Sequence, residues 1–261
     1  MRWGIRRARQ HTWLIPQYTS YGAHSVTILF RIKTGCTILA QYKVYSFDKI
    51  PSTQTYAHDM IMRGIAADHT AIVAMAQSAG RGRYRRPWVS HHGNLYVSFI
   101  FDSPSRDARL SYAIAVAVAE TVMAFGVTPS IKWPNDILIN QAKVAGILIE
   151  YNGDYVVVGI GINIHSNPSS GISYPTTRLD RYSDASVTDV LSRLMRNIDT
   201  WRAADFSAVR TRWMELAVGV GTDIIYRDAP AQMVGIDMRG ALILRRSDET
   251  LAIFGDEISM G

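Results

Sequence analysis

The chain has 261 residues, of which 48% are hydrophobic and 19% are charged, and its net charge is +6. This composition is that of a globular protein with a large apolar core, and it argues against a disordered chain. The single cysteine, Cys36, excludes an internal disulfide and a zinc site of several cysteines, and it suits a reducing compartment. No apolar run reaches the roughly 18 residues of a membrane span.

The whole excess of positive charge lies in the first 47 residues. They hold seven basic and no acidic side chains, whereas the rest of the chain holds 21 basic and 22 acidic ones. We treat residues 1–42 as a basic leader with three open interpretations: an organelle transit peptide, a nucleic-acid-binding arm, or a segment without function, which is either an uninformative tail or the result of a start codon placed too far upstream. The expected location is the cytoplasm, or an organelle matrix if the leader is a genuine transit peptide.

After the leader, the pattern predicts strands that alternate with helices. Strands are predicted at 43–47, 71–76, 94–101, 131–133, 137–139, 143–151 and 155–164, and helices at 53–64, 108–125, 187–201 and 206–216. Residues 167–184 are rich in Ser, Pro, Gly and Thr, which predicts a loop. Four short strands at 223–226, 232–237, 241–245 and 251–254 predict a small β-barrel. The expected division is therefore a leader (1–42), a central domain (43–217) and a C-terminal domain (218–261).

Residues 80–86 place four arginines and two glycines on a loop between two predicted strands. Glycine lets the backbone approach a ligand, and arginine donates paired hydrogen bonds to a phosphate or a carboxylate. A solvated basic loop and a nucleic-acid-binding loop are the alternatives. The spacing matches neither a Walker A loop nor a Gly-x-Gly-x-x-Gly fingerprint.

Three further stretches place polar side chains or glycines at strand ends. Lys132-Trp-Pro-Asn-Asp136 ends a strand at a proline, which suits either a capped turn or a binding edge. Lys143 begins an otherwise apolar strand, where it reaches either solvent or a site, and Gly146 would let a ligand lie against that strand. Gly159-Ile-Gly-Ile-Asn163 indicates either the close approach of a ligand or neighbouring backbone, or a tight bend of the sheet.

Taken together and in this order, these motifs resemble the catalytic core of biotin–protein ligases. The resemblance runs from about residue 44 to the C-terminus. It is carried by Ser52-Thr53, Gln77, Gly80-Arg-Gly-Arg83, Trp88, Gly93-Asn-Leu95, Lys132-Trp-Pro-Asn-Asp136, Lys143-Val-Ala-Gly-Ile-Leu148 and Gly159-Ile-Gly-Ile-Asn163. The chain departs from the family at Gln54, where the family usually has Asn. The resemblance implies an α+β fold, in which helices cover a mixed, largely antiparallel sheet like that of class II aminoacyl-tRNA synthetases and biotinyl/lipoyl ligases. A small SH3-like β-barrel follows at the C-terminus.

The resemblance also implies a reaction and a set of site residues. Biotin is activated with ATP to biotinyl-5′-AMP, with Mg²⁺, and is then transferred to a lysine of a biotin carboxyl carrier protein. The implied catalytic residues are Lys143, Arg83 and Asp136. The implied biotin-binding residues are Ser52, Thr53, Gln77, Gly80, Arg81, Gly82, Arg83, Lys143 and Gly146. The implied ATP- or AMP-binding residues are Arg81, Arg83, Trp88, Lys132, Asn135, Lys143 and Asn163.

Several alternatives stay open at the level of sequence. Asp136 would either orient or deprotonate the acceptor lysine, or bind Mg²⁺ through water. The protein would otherwise be a lipoate- or octanoate-attaching enzyme of the same superfamily, or a DNA-binding biotin sensor that uses its leader. The leader is too short and patternless for a DNA-binding module, so no nucleic-acid partner is expected. A membrane partner is not expected either, and a homodimer is left open.

Overall fold

A computed structural model describes residues 42–168, 174–247 and 249–254 in full, and the strand backbone alone at 14–18, 24–34, 37–41 and 259–260. Within these residues the chain forms a nine-stranded sheet, a five-stranded sheet and four α-helices. No helix in this part of the chain is long and apolar enough to cross a membrane.

The larger sheet is mixed and largely antiparallel, which confirms the expected fold class. Its strands lie in the order β1-β2-β3-β4-β5-β9-β8-β7-β6. Of these neighbours, β3 and β4 are parallel and the other described pairs are antiparallel. The strands are β1 (Leu14–Tyr18), β2 (His24–Thr34), β3 (Thr37–Ile50), β4 (Thr70–Gln77), β5 (Leu95–Asp102), β6 (Pro129–Lys132), β7 (Asp136–Ile139), β8 (Ala142–Asn152) and β9 (Tyr155–Ile162).

The two faces of this sheet are covered unequally. The helices are α1 (Thr53–Met62), α2 (Leu110–Met123), α3 (Val187–Ala203) and α4 (Phe206–Leu216). One face buries Val97, Phe99 and Phe101 in the same apolar cluster as α2, which packs on β6, β7 and β8 and is itself packed by α3 and α4. The other face carries α1 alone among the described helices, over β4, β5 and β9. Because one helix cannot cover a sheet of this width, the α1 face has room for a cavity over β8 and β9.

Helix α1 begins where the sequence places its N-cap. The Ser52 hydroxyl accepts a hydrogen bond from the Thr55 backbone N–H at 3.4 Å, which satisfies one donor of the first turn. The predicted helix at 108–125 is shorter in the structure, and Gly126 follows it with a φ of +80°, a conformation that glycine adopts readily.

The C-terminal part forms the expected small β structure. Its strands are β10 (Asp223–Tyr226), β11 (Ala229–Ile236), β12 (Leu242–Arg246), β13 (Glu249–Ile253) and β14 (Ser259–Met260), in the order β13-β12-β11-β10-β14, and the neighbours are antiparallel. It packs against the rest of the molecule, since the Tyr112 hydroxyl donates to the Gly240 carbonyl at 3.0 Å. The division into domains stays a prediction.

The N-terminal segment contains strands that the sequence analysis did not assign. It placed the first element at residue 43, whereas β1 and β2 precede that residue and β3 begins at Thr37. In β2, the apolar residues Val26, Ile28, Phe30 and Ile32 recur with the period of two that indicates a strand, so this element could have been predicted. The three interpretations of the leader stay predictions.

Candidate active site

A cavity of about 900 Å³ opens on the α1 face above β5, β8 and β9. This volume is in the range of small-molecule sites. It brings together most of the residues that the sequence analysis selected. Those that line it are Ser52, Thr53, Gln77, Arg81, Gly82, Arg83, Trp88, Lys132, Asn135, Asp136, Lys143 and Gly146. Gly80 and Asn163 are not among the lining residues.

The cavity is strongly basic although the chain beyond the leader is nearly neutral. Six basic side chains line it against two acidic ones: Arg81, Arg83, Arg86, Lys132, Lys143 and Arg227 against Asp136 and Asp228. A concave site with one dominant sign of charge attracts ligands of the opposite sign. The cavity therefore suits anionic groups such as phosphate and carboxylate.

Residues 80–88, here called the arginine hairpin, form a tight loop over this cavity. The Trp88 N–H donates to the Gly80 carbonyl and the Gly82 N–H donates to the Arg86 carbonyl, both at 2.8 Å. A Cβ atom at Gly80 would lie 2.5 Å from Ser90 Oγ and 2.6 Å from the Trp88 carbonyl oxygen. Gly80 thus serves the close packing of the hairpin base, and its contact with a ligand stays a prediction.

The glycines of β8 and β9 make room for side chains of the protein itself. A Cβ atom at Gly161 would lie 2.6 Å from the Trp88 ring, and one at Gly146 would lie 2.9 Å from it. At Gly159 the Cβ would lie 2.5 Å from Gln54 Oε1. The Trp88 ring lies over Gly146 in this structure, and the contact of Gly146 with a ligand stays a prediction.

Lys143 points into the cavity and not to solvent. Its Nζ lies 2.6 Å from Asp136 Oδ1 and 5.2 Å from the ring centroids of both Trp88 and Tyr174, and its side chain is 12% exposed. Its backbone is fixed as well, since its N–H donates to the Pro175 carbonyl and its C=O accepts from the Thr177 N–H, both at 2.9 Å. The ammonium group is held in one place before any ligand arrives.

The two asparagines expected to bind nucleotide have backbone partners. Asn135 lines the cavity and its Nδ2 donates to the Ile147 carbonyl at 2.9 Å, which fixes the turn after the cis Trp133–Pro134 bond. Asn163 is buried, and its Nδ2 donates to the Thr177 carbonyl at 3.1 Å. A direct contact of Asn163 with nucleotide is not supported, because its amide holds the segment beside Lys143 instead.

The polar residues expected to bind biotin form a connected cluster. The Thr53 N–H and hydroxyl donate to Gln77 Oε1 at 2.8 and 3.2 Å, and Gln77 Nε2 donates to Ser90 Oγ at 2.9 Å. Ser98 Oγ, which the sequence analysis missed, donates to Thr53 Oγ1 at 2.9 Å. These bonds orient the donors and acceptors at one end of the cavity.

Glu150 is the second residue that the sequence analysis missed. Its two oxygens accept from Arg81 Nη1 and Nη2 at 2.6 and 2.7 Å, and one of them also lies 2.9 Å from Gln54 Nε2 and 3.0 Å from His58 Nε2. Burial by itself would raise the pKa of Glu150, but the hydrogen bonds from His58, Arg81 and Gln54 hold it well below its usual range. Arg81, expected to clamp a ligand, is thus paired with a carboxylate of the protein.

Sequence comparisons place the chain among known proteins. The model of the biotin/lipoate A/B protein ligase family matches residues 46–167. The chain is 31% identical to the bifunctional ligase/repressor BirA of Bacillus subtilis, over 90% of this chain and 78% of that protein. It is 33% identical to the biotin–[acetyl-CoA-carboxylase] ligase of Paracoccus denitrificans, over 67% of this chain and 83% of that protein. The chain belongs to the biotin/lipoate A/B protein ligase family.

Solved structures agree with this membership. The biotin protein ligase of Aquifex aeolicus in complex with biotin and ATP superposes with a TM-score of 0.71 at 25% identity, over 83% of this chain and 97% of that one. The biotin protein ligase of Leishmania major in complex with biotinyl-5-AMP gives a TM-score of 0.61 at 22% identity, over 81% of this chain and 98% of that one, and shows a shared fold.

The side chains in the described part of the chain do not form a site for a resident metal ion. No group of three or more His, Cys, Asp or Glu side chains that could hold a metal is found in the described part of the chain. Asp136, the one candidate from sequence, is paired with Lys143. Mg²⁺ is commonly held by substrate phosphates and water with few protein ligands, so it would enter this cavity as part of the nucleotide substrate.

Proposed function

We propose that this family member is a biotin–protein ligase, which activates biotin with ATP and transfers it to a lysine of a carboxylase carrier protein. The observation that carries the proposal is the basic cavity, which is lined both by the fixed Lys143 and by the polar cluster of Thr53, Gln77 and Ser98. The cluster and the cations suit the two ends of biotin, a ureido ring and a carboxylate. Relatives named as biotin–[acetyl-CoA-carboxylase] ligases support the choice of substrate and acceptor.

In the first step the biotin carboxylate oxygen attacks the α-phosphorus of ATP. A C–O–P anhydride bond forms, the bond to the β-phosphate oxygen breaks, and pyrophosphate leaves with the electron pair. Both reactants are anions, so they repel each other as they meet. Lys143 and Arg83 line the cavity and supply fixed positive charge, which lowers this repulsion and stabilises the charge that develops on phosphoryl oxygens.

In the second step the neutral amine of the acceptor lysine attacks the anhydride carbonyl. An amide bond forms, AMP leaves as an anion, and the amine releases a proton. No nucleophile of the enzyme is required, and the same cations stabilise the departing phosphate. Asp136 holds Lys143 in place at 2.6 Å, and its expected action on the acceptor lysine stays a prediction.

Between the two steps the mixed anhydride must be kept from water. The arginine hairpin covers one side of the cavity, and its Trp88 ring lies over Gly146 and Gly161 on the strand floor. Exclusion of water by such a loop preserves a reactive intermediate. We further propose that the enzyme acts in the cytoplasm without a nucleic-acid or membrane partner. A homodimer stays open.

Binding calorimetry with biotin and with lipoate tests the proposal against the related cofactor-attaching activity. The Thr53–Gln77–Ser98 cluster can pair with the N–H groups and carbonyl of the ureido ring, whereas the dithiolane ring of lipoate has no such groups. Since a site built for hydrogen bonds rejects a ligand that lacks them, biotin should bind at least about 100-fold more tightly than lipoate. Equal affinity, or tighter lipoate binding, would contradict the assignment to biotin.

A further inference from the structure

Glu150 joins three elements at the edge of the cavity. It lies on β8, two residues beyond Leu148, which lines the cavity. Its four hydrogen-bond donors come from Arg81 of the arginine hairpin and from Gln54 and His58, which are one turn apart on α1. The carboxylate therefore connects the hairpin, the helix and the strand floor.

His58 is itself oriented for this contact. Asn152 Nδ2 lies 3.2 Å from His58 Nδ1 and can donate only to an unprotonated nitrogen there. That bond leaves the proton of a neutral His58 on Nε2, which lies 3.0 Å from Glu150 Oε2. A carboxylate that already accepts four hydrogen bonds has little capacity left to bind a ligand, so these contacts indicate a structural role.

The ion pair between Arg81 and Glu150 has a direct consequence for Arg83. The intervening Gly82 is extended, with φ −109° and ψ −162°. Arg83 follows directly and begins a short 3-10 turn, Arg83–Arg85, so the fixed side chain of Arg81 limits how far the backbone of Arg83 can move. Arg83 lines the cavity, as does Arg81, but both terminal nitrogens of Arg81 are already bound to Glu150.

We propose that Glu150 is a positioning residue that anchors the arginine hairpin through Arg81, so that Arg83 and Trp88 are held over the substrates. Arg81 then acts through Glu150 and not as a clamp for phosphate or carboxylate. A substrate anion that recruited Arg81 would have to displace a carboxylate that holds two short bonds to it, in a pair whose side chains are 26% and 30% exposed. The catalytic part of this inference rests on the proposed biotin ligase activity, whereas its structural part does not.

Limited cleavage by trypsin within the arginine hairpin measures how firmly Glu150 holds it. Trypsin cleaves after Arg83 and Arg85 but cleaves poorly after Arg86, because Pro87 follows. Cleavage of a native loop requires local opening, so its rate measures how well the hairpin is held. Glu150→Gln keeps the size of the side chain and removes its charge. Glu215→Gln is the matched control, because Glu215 pairs with Arg212 at 2.7 Å on α4 and is 54% exposed.

Loss of one charge-assisted pair should open the hairpin measurably. We expect Glu150→Gln to speed cleavage at Arg83 and Arg85 by about tenfold, and Glu215→Gln to leave it unchanged. In the enzyme assay, Glu150→Gln should raise the KM for biotin by about tenfold and change kcat less. Arg81→Gln should reproduce both effects, and the double variant should be no worse than either single one, since both remove the same contact.

The results that would overturn the inference are equally specific. Wild-type cleavage rates in Glu150→Gln would show that the carboxylate does not hold the hairpin. Multiplicative effects of the two substitutions on KM, or a much larger effect of Arg81→Gln, would show that Arg81 binds substrate on its own. If Glu150→Gln does not fold, Arg81→Gln alone tests the anchor by cleavage. If the wild type shows no biotin-dependent activity, the proposed function fails, while the cleavage rates still decide on the anchor.

Discussion

Lys143→Ala should lower the rate of biotinyl-AMP formation by about 10²–10³-fold, the usual effect of removing one fixed group that stabilises a developing charge. The ammonium of Lys143 is held by Asp136 and by the rings of Trp88 and Tyr174, so no reorganisation is required when two anions meet beside it. The rate is measured as pyrophosphate release in the presence of biotin and ATP.

Two companion variants separate charge from shape at this position. Lys143→Met keeps the length of the side chain without its charge, and it should be as defective as Lys143→Ala. Lys143→Arg should recover little, because a guanidinium spreads its charge over a larger planar group and does not reproduce the compact point charge of an ammonium. Arg83→Ala should weaken the retention of biotinyl-AMP, because it removes another cation that lines the cavity. A Lys143→Ala rate within a few-fold of the wild type would remove the role given to this residue.

Gly161→Ala should destabilise the protein and weaken biotin binding. Its new Cβ would lie 2.6 Å from the Trp88 ring, well inside contact distance, so the ring must move off the strand floor. Overpacking of this kind costs about 1–3 kcal/mol of stability. Because Trp88 lines the cavity, biotin binding should weaken in the same variant. Denaturant unfolding and binding calorimetry measure the two effects.

A double variant shows whether contact with the Trp88 ring causes the loss of stability in Gly161→Ala. In the double variant Gly161→Ala with Trp88→Leu, the smaller side chain removes the clash, so Gly161→Ala should cost much less stability than it does beside tryptophan. Gly82→Ala is the comparison glycine, since the nearest atom to its Cβ would be the Arg86 carbonyl oxygen at 3.8 Å and its φ of −109° suits alanine. Equal losses of stability from Gly161→Ala and Gly82→Ala would contradict this account of the strand glycines.

Local sequence patterns predicted individual elements, whereas the fold class was implied by the resemblance to biotin–protein ligases. Alternation and capping signals located the helices and most strands of the body, and the α+β class is confirmed by the nine-stranded sheet. The omission of β2 was avoidable, because its alternation is visible in the sequence. Strand order was harder to predict, because each strand pairs through backbone groups that are the same in every residue.

The candidate site was predicted as a set of residues but not as a set of contacts. The motifs brought Lys143, Asp136 and Arg83 to one cavity, as expected. The sequence did not show that Arg81 would pair with Glu150, because the two residues are 69 positions apart and their contact depends on tertiary packing. The side chains that face the glycines of β8 and β9 could not be identified from sequence for the same reason, since Trp88 and Gln54 come to them from distant segments.

The role of Gln54, where the chain departs from the family pattern, follows from its contacts in the structure. Its Nε2 donates to Glu150 at 2.9 Å, and its Oε1 accepts from Ser98 at 3.0 Å, above the space left by Gly159. The amide therefore links the anchor of the arginine hairpin to the polar cluster. The departure at this position supplies a structural connection between two parts of the site.

Transfer of biotin to a carrier protein tests the central claim most directly. The wild-type protein is incubated with biotin, ATP, Mg²⁺ and a biotin carboxyl carrier domain, and the carrier is analysed by intact-mass spectrometry. We expect the added mass of one biotinyl group on a single carrier lysine, dependent on ATP and gained about 10²–10³-fold more slowly with Lys143→Ala. If this protein leaves the carrier unmodified while a known ligase modifies the same carrier in parallel, the proposed biotin ligase activity is contradicted.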